Sequence, residues 1–479
     1  MSTRLRRILV ANRGEIAARV VRTCHRLGIE AVLGASEADL DSVPARLADA
    51  AICIGPARPE ASYLNVDAVV AAALAAGAEA IHPGYGFLSE NPRLARACAA
   101  AGIVFIGPTD AQLGAVGDKL TARRHAVDAG LPVAPGGEVH AAGEAQATAS
   151  EIGWPVLVKA VGGGGGRGIR QVHDASELPG AIELAMAEAG AAFGDPRVYL
   201  ERLVPHGRHV EVQLLGDGEN VIHLGDRDCS VQRRYQKLIE EAPAPALSAP
   251  MRAGMHQAAV ALGKHLRYRG AGTVEFLVDG ERDTFYFLEM NARIQVEHPV
   301  TEEVCGIDIV AEQIAIAEGR PCPAQADVRF SGHAIECRIN AEEWTRGPGG
   351  RPPGLTGRGG QHFQPSPGIV TEAVFPAGEG IRVDTHVQAG TWVPHFYDSL
   401  LAKLIVAGAD RGQALSRLRS ALARCRVSGV ATNVAMHAEL AANPEFARGG
   451  VDTTWLARFL DGRAVASPKP RRQTGIVNG

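Results

Sequence analysis

The sequence predicts an α/β fold for roughly the first hundred residues and a mixed α+β fold for the remainder. Strand and helix signals alternate up to about Pro108, beginning with an apolar strand at 8–11 and a helix at 15–27. Strand signals dominate from about 204 to 406, and helices return after Arg411. The alternation is typical of a doubly wound, Rossmann-like parallel sheet, so we expect that domain at 1–116.

Composition narrows the class of protein further. With 479 residues, two to four domains are expected at about 100–200 residues each. A net charge of -4 supplies no basic surface for a phosphate backbone, so nucleic acid is not expected as a partner. The apolar run at 69–81 falls short of the ~20 residues that cross a bilayer. Eight cysteines without a C-x-x-C pair favour a reducing, cytoplasmic location.

A second unit follows, and it carries the first strong functional signal. A helical stretch at 117–130 contains Lys119, and Pro132 and Pro135 mark a break. Beyond it a glycine run at 162–168 links two short strands, whereas a dinucleotide fingerprint would precede a helix. Glycines let backbone N–H groups approach phosphates, so this loop is suited to a triphosphate, with a plain flexible linker as the alternative.

Lysine is rare in this chain. Six lysines stand against 43 arginines, so each lysine is a candidate for a role that needs a compact point charge. Lys159 ends the strand before the glycine run, and with Lys119 it would provide two charges for phosphates. Solvated surface lysines remain the alternative.

The second strong signal is an alternation of polar side chains after residue 285. In an extended strand one face would carry Glu289, Asn291, Arg293, Gln295 and Glu297. Eight extended residues span roughly 26 Å, so two subsites are expected unless the chain bends. With Glu275 from a neighbouring strand, Glu289 and Asn291 form an oxygen-rich set suited to Mg²⁺, and the last three residues suit an anion pocket with a base. An ordinary solvated strand is the alternative.

A polar segment at 228–237 adds two arginines and Lys237. By itself it could be a surface loop. Cys229 lies within it without an obvious base, so we expect a structural thiol rather than a nucleophile.

Together these motifs resemble the biotin carboxylase family of ATP-grasp enzymes. The phrases that carry the resemblance cover nearly the whole chain in order, at 11–16, 82–91, 162–168, 228–234, 240–245, 289–301 and 336–342. The resemblance implies an ATP-grasp region at 117–330 with a mobile lid at about 134–203, a C-terminal, mainly β domain at 331–464 and a frayed tail at 465–479. It also implies ATP-dependent carboxylation of biotin by bicarbonate through carboxyphosphate, as the first half-reaction of an acyl-CoA carboxylase.

The resemblance further implies a role for each site residue. ATP would contact Lys119, Lys159, Gly165, Gly166, Glu201, Val204, His209 and Tyr235. Mg²⁺ or Mn²⁺ would be held by Glu275, Glu289 and Asn291. Bicarbonate would be held by Lys237, Arg293, Gln295 and the backbone of Val296, with Glu297 as general base and Arg338 beside the ureido oxygen of biotin.

Two departures and one absence qualify the resemblance. Tyr235 stands where bacterial members typically have His, and the Gly/Pro-rich segment at 345–362 is longer than usual. No lysine has Met as a neighbour, so biotin should arrive on a separate carrier protein, with a carboxyltransferase subunit as a further partner and a homodimer as the expected assembly. A carbamoyl phosphate synthase-like ligase and a non-catalytic ATP-binding subunit remain as alternatives.

Overall fold

The computed structural model describes residues 4–139, 142–161, 169–233, 235–344 and 363–460. Three features predicted from the sequence therefore lie outside the described residues. They are the glycine run with Gly165 and Gly166, the Gly/Pro-rich segment at 345–362, and the tail after 464.

The N-terminal unit is a five-stranded parallel sheet with helices on both faces. Its elements are β1 (Arg7–Val10), α1 (Gly14–Arg26), β2 (Glu30–Ala35), α2 (Val43–Leu47), β3 (Ala50–Cys53), α3 (Val66–Ala75), β4 (Ala80–His82), α4 (Pro92–Ala100) and β5 (Val104–Phe105). The strand order is β3-β2-β1-β4-β5, and every pairing is parallel. Ile8, Leu9 and Val10 are fully buried, as strands covered on both faces require. The predicted doubly wound sheet is confirmed.

Four helices and a small antiparallel sheet follow. They comprise α5 (Asp110–Gly117), α6 (Lys119–Asp128), β6 (Gly136–Val139), α7 (Ala142–Ile152), β7 (Val156–Ala160), β8 (Ile169–Val172), α8 (Leu178–Phe193) and β9 (Val198–Arg202). The helix predicted at 117–130 is confirmed as α6. Asp118 has extended backbone, and its carboxylate accepts a hydrogen bond from the Thr121 amide at 2.8 Å, which starts α6 anew with Lys119 as its first residue.

The small sheet has the order β6-β9-β7-β8 and packs against α7 and α8. It has a hydrophobic core of its own, which includes Val139, Val158, Ile182 and Leu200. A unit with a separate core can move as a body relative to its neighbours.

The strands predicted between 204 and 339 are present. The elements here are β10 (Arg208–Asp217), β11 (Val221–Arg233), β12 (Gln236–Ala242), α9 (Ala249–His265), β13 (Arg269–Asp279), β14 (Thr284–Asn291), α10 (His298–Cys305), α11 (Ile309–Ala317) and β15 (His333–Asn340).

The remaining elements combine short strands with a closing set of helices. They are β16 (Glu342–Trp344), β17 (Phe363–Pro365), β18 (Gly368–Ile369), β19 (Glu372–Val374), β20 (Ile381–Thr385), β21 (Trp392–Val393), β22 (Leu400–Gly408), α12 (Arg411–Arg424), β23 (Arg426–Ser428), α13 (Val434–Ala442), α14 (Pro444–Arg448) and α15 (Trp455–Leu460). Within the described residues, no helix combines the length and apolar character needed to cross a lipid bilayer.

One large antiparallel sheet joins the middle and the C-terminal part of the chain. Its order is β14-β13-β10-β11-β12-β15-β22-β20, so it runs without interruption past residue 330. Polar side chains from β12 and β15 are therefore brought beside those of β10, β13 and β14.

Candidate active site

Acidic and basic side chains cluster on one face of the large sheet. Glu211 on β10 pairs in register with Glu275 on β13, which in turn pairs with Glu289 on β14. Because register partners project to the same face of a sheet, three carboxylates lie side by side. Such a concentration of negative charge requires cations close to it.

Lys237 on β12 is the cation at the centre of the cluster. Its ammonium donates hydrogen bonds to Glu211 Oε2 at 2.6 Å, Glu297 Oε1 at 2.7 Å and Glu275 Oε1 at 2.9 Å. Burial lowers the pKa of Lys237, but the three glutamates raise it well above its usual value. Lys237 therefore stays charged and has used its three donors on carboxylates.

Glu297 is fully buried between two cations. Its second oxygen accepts from Arg338 Nη2 at 2.8 Å, opposite the bond from Lys237. Burial raises the pKa of Glu297, but Lys237, Arg338 and Arg227 outweigh it and hold the pKa well below the usual value. The carboxylate is thus ionised at neutral pH and can accept a proton.

Cys229 contacts the same carboxylate, with its Sγ 3.8 Å from Glu297 Oε1. Burial raises the pKa of this thiol well above its usual value, and Glu211 adds to the effect. A thiol that holds its proton this firmly is not a nucleophile, as the sequence analysis expects.

The extended strand predicted through residue 297 is wrong. β14 ends at Asn291, the chain bends, and α10 begins at His298 with Glu297 as the residue before it. The bend brings Gln295 Nε2 to 3.4 Å from Glu275 Oε1, and Lys237 contacts both Glu275 and Glu297. The two predicted subsites therefore adjoin each other.

Arg293 lies on the bend and is held by polar partners from two parts of the chain. Its Nε donates to Glu90 Oε2 at 2.8 Å, Nη1 to Gln295 Oε1 at 2.7 Å and Nη2 to Asn291 Oδ1 at 3.0 Å. Glu90 also accepts from the amide of Ala292 at 2.9 Å, which ties the bend to the N-terminal unit. These bonds hold the Arg293 guanidinium beside the carboxylates that surround Lys237.

The proposed metal ligands fit a hard divalent cation. Burial and the adjacent Glu275 raise the pKa of Glu289, so negative charge at this spot lacks full compensation. His209 Nε2 lies 2.9 Å from Glu275 Oε2, and Asn291 Nδ2 donates to Glu275 Oε1 at 2.9 Å. Carboxylate and amide oxygens are the donors that Mg²⁺ and Mn²⁺ prefer, and a cation here would lower that pKa.

Two of the residues expected to contact ATP, Lys119 and Lys159, lie close to acidic side chains of the small sheet or the large one. Lys119 interacts electrostatically with Glu289, Lys159 and Glu201, and burial lowers its pKa. Lys159 forms an ion pair with Glu201, and Val204 is buried. Lys119, Lys159 and Glu201 therefore lie near one another.

Tyr235 stands apart from this group in its backbone and exposure. It has a positive φ of 67° in the turn before β12, and its side chain is half exposed. A tyrosine in this left-handed conformation is uncommon, because Cβ crowds the backbone there.

Several side chains that contact the predicted site residues were not identified from the sequence. Arg227 is fully buried and donates to Glu211 at 2.6 Å, and Glu240 accepts from Arg338 Nε at 2.6 Å. Lys403 donates to the carbonyl of Val296 at 3.0 Å and pairs with Glu15 at 3.0 Å. Glu211 was detectable, because it lies two residues after His209 on one strand face.

Three family profiles cover most of the chain in consecutive segments. The N-terminal domain of biotin carboxylase matches residues 4–113, the ATP-binding domain of the carbamoyl-phosphate synthase L chain matches 118–325, and the biotin carboxylase C-terminal domain matches 357–458. The order agrees with the units described above.

Close relatives and solved structures agree with these profiles. The biotin carboxylase of Pseudomonas aeruginosa is 48% identical over 461 residues, covering 95% of this chain and 99% of the relative. The crystal structure of a Campylobacter jejuni biotin carboxylase–βγ-ATP complex has a TM-score of 0.89 at 45% identity, covering 95% of this chain and 99% of that one.

A second solved structure extends the comparison to a different carboxylase. The biotin carboxylase domain dimer of Hydrogenobacter thermophilus 2-oxoglutarate carboxylase, in complex with MgADP, ADP and bicarbonate, has a TM-score of 0.87 at 43% identity and covers 96% of this chain and 98% of that one. Similarity at this level extends over nearly complete chains. The chain described here belongs to the biotin carboxylase family.

Proposed function

We propose that this chain catalyses the ATP-dependent carboxylation of biotin by bicarbonate, with biotin attached to a separate carrier protein. The observation that carries the proposal is the buried Glu297 carboxylate held between Lys237 at 2.7 Å and Arg338 at 2.8 Å. Of the two cations that flank this base, Lys237 can hold an anionic substrate and Arg338 can stabilise a developing oxyanion.

Bicarbonate is a poor electrophile and must first be activated. Glu297 takes the proton of bicarbonate, and the freed oxygen attacks the γ-phosphorus of ATP, forming carboxyphosphate and releasing ADP. Lys237 and Arg293 hold the anion, since both lie beside Glu297 and Gln295. Bicarbonate would replace part of the carboxylate contacts that Lys237 makes in the free protein.

The second stage uses Arg338. Carboxyphosphate collapses to CO₂ and phosphate, the released phosphate accepts the proton of the ureido nitrogen of biotin, and that nitrogen attacks CO₂. Arg338 remains protonated, because Glu240 and Glu297 outweigh the effect of burial and raise its pKa further above its usual value. A permanent cation stabilises the negative charge that develops on the ureido oxygen.

Phosphoryl transfer requires charge neutralisation on ATP. Glu275, Glu289 and Asn291 would hold Mg²⁺ or Mn²⁺, which offsets the negative charge of the phosphates when bound. Lys119 and Lys159 supply fixed charge from α6 and β7. The segment at about 134–203 forms the lid in this proposal, and the separate core of its small sheet permits movement as a unit.

Partners and location are also part of the proposal. We assign a biotin carboxyl carrier protein and a carboxyltransferase subunit as partners, a homodimer as the assembly, and the cytoplasm as the location. The related 2-oxoglutarate carboxylase domain crystallised as a dimer. All eight cysteines are free thiols, as a reducing compartment permits. An acyl-CoA acceptor would be selected by the carboxyltransferase rather than by this chain.

Two variants test the division of roles when ADP and carboxybiotin are measured in the same reaction. Glu297→Gln keeps the size of the side chain and removes the base, so both products should fall together by about 10²-fold or more. Arg338→Gln leaves the base in place, so ADP formation should persist while carboxybiotin yield drops. Glu343→Gln, the same change at an exposed position on β16, is the control and should behave as wild type.

The opposite pattern would refute the assignment. If Glu297→Gln stayed fully active, or if both variants lost the two products in equal proportion, the roles proposed here would be wrong. If ATP cleavage depended on bicarbonate and ammonia but not on biotin, the result would instead indicate a carbamoyl phosphate synthase-like ligase.

A further inference from the structure

Two histidines and an aspartate converge on the surface, away from the candidate active site. His125 and Asp128 lie in the last turn of α6, three residues apart on one helix face, and His265 is the last residue of α9. His125 Nδ1 is 3.1 Å from His265 Nε2. One carboxylate oxygen of Asp128 and one ring nitrogen of each histidine all lie within 4.8 Å of one another. The cluster joins residues 140 positions apart in the sequence.

The distances suit a tetrahedral transition metal. Zinc–nitrogen bonds of about 2.0–2.1 Å place two ligand nitrogens roughly 3.3 Å apart, close to the observed separation of the two rings. Two imidazoles and one carboxylate provide three ligands, and water can complete the shell because Asp128 and His265 are exposed. Ligands of this type favour Zn²⁺ and similar ions over Mg²⁺.

The local electrostatics also favour a cation. α6 ends at Asp128 and α9 ends at His265, so two helix C-termini with their partial negative charge meet at this point. A carboxylate at a helix C-terminus is unfavourable unless positive charge is close to it. Asp128 is therefore poorly placed for helix stability and well placed as a ligand.

We propose that His125, Asp128 and His265 form a binding site for a divalent transition metal ion, separate from the oxygen-rich site at Glu275 and Glu289. Among the residues that the structure describes, the other clusters of metal-ligating side chains belong to the candidate active site. A bound ion would tie the C-terminal end of α6 to that of α9. The first residue of α6 is Lys119, so the ion would also stiffen the helix that presents this lysine to ATP.

The test uses the full chain without an affinity tag, stripped of metal and titrated with Zn²⁺ alone in saturating Mg²⁺. Calorimetry should show that wild type binds one Zn²⁺ more than the double variant His125→Gln/His265→Gln. Each single variant should weaken binding by at least the roughly 10- to 100-fold that loss of a partner to a metal ligand costs. Zn²⁺ should raise the midpoint of thermal unfolding of wild type and not that of the double variant, because the ion binds the folded state.

The control is His25→Gln, which removes another exposed histidine. His25 Nε2 contacts a single carboxylate, Asp49, at 2.9 Å. This variant should bind Zn²⁺ as wild type does. Equal stoichiometry and affinity in wild type and the double variant would overturn the proposal, and so would the absence of Zn²⁺ binding to wild type. Asp128→Asn gives an independent measure, because it preserves both histidines and should still weaken Zn²⁺ binding.

Discussion

Replacement of Lys237 by Met should destabilise the protein in a pH-dependent manner. The variant keeps most of the side-chain volume and removes the ammonium that three carboxylates share. Breaking a buried ion pair by removing one partner costs about 3–5 kcal/mol. Each carboxylate retains another cationic or titratable partner, namely Arg227 for Glu211, His209 for Glu275 and Arg338 for Glu297. We therefore expect a loss near the lower limit, about 3 kcal/mol at neutral pH.

The dependence on pH follows from the carboxylates. In the wild type the pKa of Glu275 and that of Glu297 lie well below the usual 4.5, because Lys237 and other cations outweigh the effect of burial. A depressed pKa contributes stability that is fully present above the unfolded value and is lost as pH falls towards the folded value. Without Lys237 this contribution shrinks. The difference in the free energy of unfolding between wild type and variant should be at its maximum above about pH 5 and should diminish below about pH 4.5.

Urea unfolding of both proteins at a series of pH values measures this difference directly. Lys264→Met provides the matched control, since Lys264 lies exposed in the last turn of α9. The control should lose less than about 0.5 kcal/mol, as surface substitutions usually do. If Lys237→Met were as stable as wild type, or if its deficit were the same at every pH, the ammonium would not be neutralising these carboxylates.

Three further outcomes are expected. Burial raises the pKa of Glu240 to about 7 against the attraction of Arg338, and repulsion from Glu297 adds to the shift. The contribution of Glu240 to wild-type stability should therefore fall as pH rises from about 4.5 to 7. Glu240→Gln should flatten that fall in the free energy of unfolding, and an unchanged slope would refute the assignment. Arg293→Ala should raise the KM for bicarbonate about tenfold or more with little change for ATP, and the reverse in steady-state kinetics would exchange the two roles. ATP should slow hydrogen exchange across 134–203, whereas equal exchange with and without ATP would contradict the lid.

The fold class could be predicted from the sequence because the patterns that indicate it are local. The buried strands of the N-terminal unit are short apolar runs in the sequence, and they alternate with segments whose apolar residues recur with the helical period of 3.6. The structure has five parallel strands there. The rarity of lysine also singled out Lys119, Lys159 and Lys237, which all lie beside acidic partners. Such features depend only on neighbouring residues in the sequence or on composition, so the sequence alone is enough to detect them.

Local patterns failed where a distant contact redirects the backbone. The alternation from Glu289 to Glu297 has the period of a strand, yet the chain bends after Asn291. The bend is held by Glu90, about 200 residues away in the sequence, which no local pattern reports.

The sequence by itself determined the parallel N-terminal sheet, the strand-rich middle and the types of side chain available for chemistry. Tertiary structure alone decided that one sheet continues past residue 330, which places Arg338 on β15 beside Glu297. It also decided the charge state of the base, since Lys237, Arg338 and Arg227 together hold the pKa of Glu297 down. Electrostatic energies add over every charge within a few ångströms, and folding brings those charges together from distant parts of the chain.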